Sequence, residues 1–155
     1  MSGPGEYVPD PTEGVRRVED LPQPTVQHRS RCKQTNRCPK CGYRAYRNKK
    51  RIRRLHDLGD VIHGRPREVE LEAGEYVCSR CGGYFLADTS DIAPKGSHYT
   101  RRVIERAVRS VVEDGLPYRG ASWRMWRDHR VFVPFATIQN WVEAAGGKSA
   151  RARTV

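Results

Sequence analysis

Between residues 65 and 72 apolar and polar positions alternate one by one. Val69 and Leu71 fall on one side, Glu68, Glu70 and Glu72 on the other. A period of two marks a half-buried strand. Ala73-Gly74 reads as a turn, residues 75–78 as a strand returning, and Tyr84-Phe85-Leu86 as a short closing strand. From Thr100 the period lengthens. Val103, Ile104, Ala107, Val108, Val111 and Val112 recur as one face of an amphipathic helix, which Gly115 and Pro117 are placed to end. A second helix is predicted over residues 118–128, with Tyr118, Ala121, Ser122 and Met125 inward and Trp123 and Trp126 as edge packing. A third starts near Pro134, a residue suited to the first helical position. It turns Ile138, Trp141, Val142 and Ala145 inward and stops at Gly146-Gly147.

These patterns predict a small α+β chain: short antiparallel strands, then a three-helix unit of helix-turn-helix type. Residues 1–31 read as a disordered leader, because Pro4, Pro9, Pro11, Pro22 and Pro24 interrupt any helix and apolar residues are sparse. A flexible arm reaching DNA through Arg16, Arg17, Arg29 and Arg31 is the alternative. The strand-rich module spans residues 32–87, a connector 88–98, and the helical unit 97–147. Residues 148–155 are a basic tail or linker.

Charge changes the picture. The 155 residues carry a formal net charge of +11, with only 37% hydrophobic content. No large single core is available, and a polyanionic partner is implied, most often nucleic acid. In residues 47–54, Arg47, Lys49, Lys50, Arg51, Arg53 and Arg54 are basic. Packed like charges repel one another unless something negative lies opposite. The run is either a solvated strand face or a clamp for phosphates. Arg101 and Arg102 in the first turn of the first helix oppose its macrodipole, which is either a small tolerated cost or a helix start that meets phosphate. On the third helix Phe135, Gln139 and Asn140 face outward. Gln and Asn amides can pair with the adenine edge in the major groove, or they are polar surface.

Cysteine spacing supplies the chemistry. Cys38-Pro39-Lys40-Cys41-Gly42 and Cys78-Ser79-Arg80-Cys81-Gly82 are two C-x-x-C-G units. Each can aim two sulfurs at one point, and together they offer Cys38, Cys41, Cys78 and Cys81 as a tetrahedral thiolate set for one structural zinc ion. Redox pairs or disulfides are the alternative, but a thioredoxin-like motif needs a βαβ context that is missing here. Four thiolates leave no open position for a catalytic zinc. Cys32 reads as a free thiol. There is no apolar run long enough to span a membrane and no signal peptide, and thiols arranged for metal agree with a reducing cytoplasm.

The order CPKCG, a basic stretch, HDLGDVIHGRPREVELEAGEYVCSRCGGYF and then a helix-turn-helix resembles the N-terminal part of the ISL-three-type insertion-sequence transposases, over residues 37–146. The phrase from Leu58-Gly59 to Tyr76-Val77-Cys78 is its most specific part. The resemblance implies that the four cysteines hold zinc and that the helices bind the transposon's terminal repeats in the nucleoid. It implies no catalysis by this chain, because the family's DDE carboxylates belong to a further domain and no residue here matches them. Double-stranded DNA is the expected partner, with a homodimer in view and no small-molecule substrate. A zinc-ribbon interaction protein in transcription or RNA handling is the alternative function.

Overall fold

The computed structural model describes residues 23–154, with side chains through residue 146. Among these residues the elements are β1 Thr25–Arg31, β2 Thr35–Arg37, β3 Arg44–Asp60, β4 Arg65–Cys78, β5 Tyr84–Leu86, α1 Arg101–Val112, α2 Tyr118–His129 and α3 Phe135–Thr154. The frame is the β3–β4 hairpin, whose strands of 17 and 14 residues exceed the usual 3–10. Sheet order is β1-β4-β3-β2, and β5 pairs with β4 beyond the end of β1.

The hairpin turns at residues 61–64 and not at Ala73-Gly74, which lie within β4. The glycine there answers a close approach. A Cβ on Gly74 would stand 2.8 Å from the Tyr76 hydroxyl oxygen, so the ring folds over the place a side chain would take. β1 is the second difference. Residues 25–31, expected within the leader, run parallel to β4 from Thr25 opposite Arg67 to Arg31 opposite Ala73. An edge strand needs backbone hydrogen bonds more than apolar side chains, and Pro24 lies ahead of its first residue, where it interrupts nothing. The sheet is therefore mixed and its central strands long. The rest of the leader, with Arg16 and Arg17, lies outside the described residues.

The helices form where the 3.6-residue period predicts them, but Val112 and Ala145, expected inward, are exposed near the ends of their stripes. Val103, Ala107, Ala121, Met125, Val131, Val133 and Ile138 make a buried cluster, with Tyr118, Trp141 and Val142 packed against it. α1 ends at Val112, and the N–H groups of Gly115 and Leu116 return to the carbonyls of Val111 and Ser110. α3 continues through Gly146-Gly147 to Thr154, so the expected tail is largely helical backbone. Each glycine costs a helix about 1 kcal/mol, which Ala144, Ala145 and the alanines and arginines beyond offset through favourable propensity. Among the described residues no helix is long and apolar enough to cross a membrane.

The connector is not a loose linker. Ile92 and Ala93 are buried with Leu55, Val69 and Leu71 as a second core on one face of the hairpin. Sheet and helices meet at the turn-proximal end of β3. There the His56 N–H donates to the His98 carbonyl, and buried Asp57 accepts the Thr100 hydroxyl at 2.8 Å with Arg102 at 3.5 Å. Leu58 reaches the helical cluster.

Candidate metal centre and nucleic-acid interface

At the open end of the hairpin each C-x-x-C-G unit is the turn of a smaller hairpin, β2 to β3 and β4 to β5. Gly42 and Gly82 both take φ +71°, a left-handed conformation that glycine alone adopts freely. Their N–H groups bond the carbonyls of Cys38 and Cys78 at 2.8 and 3.0 Å. Beyond them Cys38 N–H donates to the Tyr43 carbonyl and Cys78 N–H to that of Gly83, both at 2.9 Å. Two segments far apart in sequence thus build the same turn, and the β3–β4 pairing sets Ala45 opposite Cys78 to bring them together.

The four sulfurs lie within 4.8 Å of one another, with Cys41–Cys78 at 3.4 Å and Cys38–Cys81 at 3.8 Å across the two turns. A tetrahedral ion with metal–sulfur bonds of about 2.3 Å needs sulfurs about 3.8 Å apart, so the set fits one metal ion. The spacing also excludes disulfides, which bring sulfurs to about 2.05 Å. Cys38 and Cys78 are buried while Cys41 and Cys81 are exposed, so each turn supplies one inner and one outer ligand.

Electrostatics agree with a cation site. The Cys81 N–H, donating at 3.4 Å with the Arg80 N–H beside it, brings the Cys78 thiol down to about 6. The N–H groups of Cys41 and Lys40 lower Cys38 in the same way. Cys41 accepts the Tyr43 N–H, yet it is pushed up to about 11, because Cys78 and Cys38 beside it take the negative charge first. The cluster holds protons that a divalent cation would displace.

The basic run lies along β3, and β4 faces it with glutamates. Lys49 and Arg51 meet Glu75 at 3.5 and 3.2 Å, Lys50 meets Glu72 at 3.2 Å, and Arg54 reaches Glu68 at 3.0 Å and Glu70 at 3.5 Å. Arg47 donates to the Cys32 carbonyl at 2.7 Å, and Arg53 to those of Pro94 and Ser97. The negative charge that such a run requires is thus supplied within the chain. Cys32 is half-buried, its thiol on the Glu72 carbonyl at 3.3 Å and outside the metal cluster.

Arg101 donates to the Ser90 carbonyl at 2.9 Å, and Arg102 serves Asp57. On α3, Phe135 is exposed under the Arg119 guanidinium, 4.5 Å from the ring centre. Gln139 donates its amide to Glu143 at 2.9 Å, and Asn140 is exposed. Ile138 is buried and Trp141 packs edge-on against Tyr99, ring centres 5.3 Å apart. From Arg44 to Asp57 an extended strand covers about 40 Å, so the cysteine cluster and the helical unit stand at opposite ends. The sequence holds no direct sign of buried Asp57 as the joint, or of the exposed rings of Tyr43, Tyr46 and Tyr84 beside the cysteines. An indirect sign is that Tyr43 and Tyr84 follow the knuckle glycines in sequence. No family model matches this chain, and no curated protein or solved structure is significantly similar to it.

Proposed function

We propose that this chain is the DNA-binding module of a transposase-like protein: a zinc ribbon followed by a helix-turn-helix that recognises transposon-end duplex DNA. The observation that carries the reading is the division of α3. Ile138, Trp141 and Val142 hold it to the other helices, while Phe135, Ala136 and Asn140 face solvent in its first turns. Recognition helices present their N-terminal residues to the major groove.

Cys38, Cys41, Cys78 and Cys81 would hold the zinc. A closed shell of four thiolates supplies structure and no reactive position. Arg51, Arg53 and Arg54 neutralise phosphates in this reading. Replacing all three by Ala lowers the slope of log K against log salt by about 0.9 for each phosphate left without its cation. The protein works in the cytoplasm on the nucleoid, as a monomer or a homodimer.

The test is binding of the Asn140→Ala and Gln139→Ala proteins to a selected duplex and its single-base variants. Loss of an amide–adenine pair removes about 1–3 kcal/mol of discrimination at one base pair, with melting unchanged. Asn140 is the sharper probe, because the Gln139 amide is engaged by Glu143. Unchanged base preference in both variants overturns recognition by α3. One observation favours a second reading, a zinc-ribbon interaction protein in transcription or RNA handling. The glutamates of β4 offset most of the basic run. In that case salt-sensitive binding to duplex DNA is absent.

A further inference from the structure

The cysteine end of the sheet carries a surface that the duplex reading leaves unused. Thr35, Tyr46, Val77 and Tyr84 pair directly across β2, β3, β4 and β5, forming one rung on one face. The neighbouring positions Ala45, Cys78, Tyr76 and Phe85 belong to the opposite face, where Ala45, Cys78 and Tyr76 are buried and Tyr76 stacks on Phe85. Alternation therefore turns Tyr46 and Tyr84 outward, and they are 52% and 67% exposed. Two strand spacings separate them, about 9.5 Å.

The charge around this rung has one sign. Residues 33–47 and 76–87, which build this end, contain Lys33, Arg37, Lys40, Arg44, Arg47 and Arg80 and no carboxylate. None of these six cations forms an ion pair with a carboxylate among the described residues. Four thiolates on a divalent metal leave two negative charges, which six cations exceed. Arg44 shares the face of Tyr46, and the Arg80 guanidinium sits 5.8 Å from the Tyr43 ring centre, a second aromatic and cationic surface on the adjoining turn. Further along the face, Glu75 is already held between Lys49 and Arg51.

The geometry points to a binding site for a single nucleic-acid strand on this face, with unpaired bases stacked on Tyr46 and Tyr84 and the phosphates tracked by Arg37, Lys40, Arg44 and Arg80. Exposed aromatics on a sheet face, ringed by cations, hold unpaired bases because every base has a flat face, whatever the sequence. A duplex hides those faces in its stack. The site is separate from α3 and stands or falls without it.

The experiment is fluorescence anisotropy of a 5′-labelled dT oligonucleotide of about 15 nucleotides, within the site size of such surfaces, titrated with full-length zinc-loaded protein. An abasic strand of equal length is the parallel probe. Stacking on one aromatic changes affinity by roughly 5- to 150-fold. Tyr46→Ala and Tyr84→Ala should each weaken dT binding within that range, and Tyr46→Phe and Tyr84→Phe should keep it, since the ring and not the hydroxyl carries the stacking. The abasic strand should bind wild type no better than dT binds the doubly truncated protein. The thiolate absorption of cobalt-substituted protein reports whether each variant keeps its metal site. Equal binding of abasic and dT strands by wild type overturns the proposal and needs no variant. Undiminished binding by the double alanine variant also overturns it, and so does failure of wild type to bind dT, which would give this face to a protein partner.

Discussion

The two ends of this molecule are held together by different physics. The helical end has an apolar core of the usual kind, built on Val103, Ala107, Met125, Val133 and Ile138. The sheet end has a smaller one, Leu55, Val69, Leu71, Ile92 and Ala93, confined to the half of the hairpin nearest the helices. Toward the cysteines the hairpin is lined by ion pairs. Exposed pairs such as Lys50–Glu72 contribute about 0–1 kcal/mol each, Glu75 between Lys49 and Arg51 is buried, and apart from the cysteines the buried apolar side chains at this end are Ala45 and Tyr76. A structural zinc contributes about 10–16 kcal/mol at neutral pH. A metal held by the four cysteines would supply what the open end of the sheet lacks, whereas the helical cluster is built of apolar residues.

Removing the metal is therefore the strongest way to break the comparison. Cys81→Ser, or chelation of the wild type, should unfold the cysteine end, residues 35–47 and 74–86, and leave in place the helices and the half of the hairpin that packs on Ile92 and Ala93. Amide NMR checks this: signals of the cysteine turns collapse and those of α1 to α3 persist. The converse change acts at the other end. Met125→Ala empties a fully buried site and should lower helical stability by about 2–5 kcal/mol in chemical denaturation, with metal affinity unchanged. Asp57 joins the two ends. Asp57→Ala strands the Thr100 hydroxyl and should cost about 1–3 kcal/mol, and hydrogen exchange at the start of α1 should rise. The smallest effect belongs to the ladder. A double-mutant cycle on Lys50 and Glu72, read by thermal melting, should give a coupling of roughly 0.2–1 kcal/mol that shrinks with salt.

The parts legible in sequence were those whose signal is local. The C-x-x-C-G units announce both the ligands and the left-handed glycines at Gly42 and Gly82. The periodicity of Val103 and Ala107 announces which face of α1 is buried. Trp141 was legible as inward-facing but is only half-buried, leaning on Tyr99. What escaped depends on neighbours distant in sequence. The run from Arg47 to Arg54 does not reveal that Glu68, Glu70, Glu72 and Glu75 lie across from it. Pairing depends on where the hairpin turns, and Gly74 was the wrong glycine for that turn. β1 escaped because backbone bonds hold it. Ile92 and Ala93 escaped because two buried residues in an irregular segment have no period.

The proposed function places duplex recognition in the helical end and gives the cysteine end no part in choosing the site. It is tested most directly by titrating a selected duplex with full-length protein, with and without zinc, over a series of salt concentrations. Affinity for the selected site should exceed that for random duplex and fall steeply with salt. Preference for the site should also survive zinc removal. Equal affinity for selected and random duplex, or preference that vanishes with the metal, would contradict the claim.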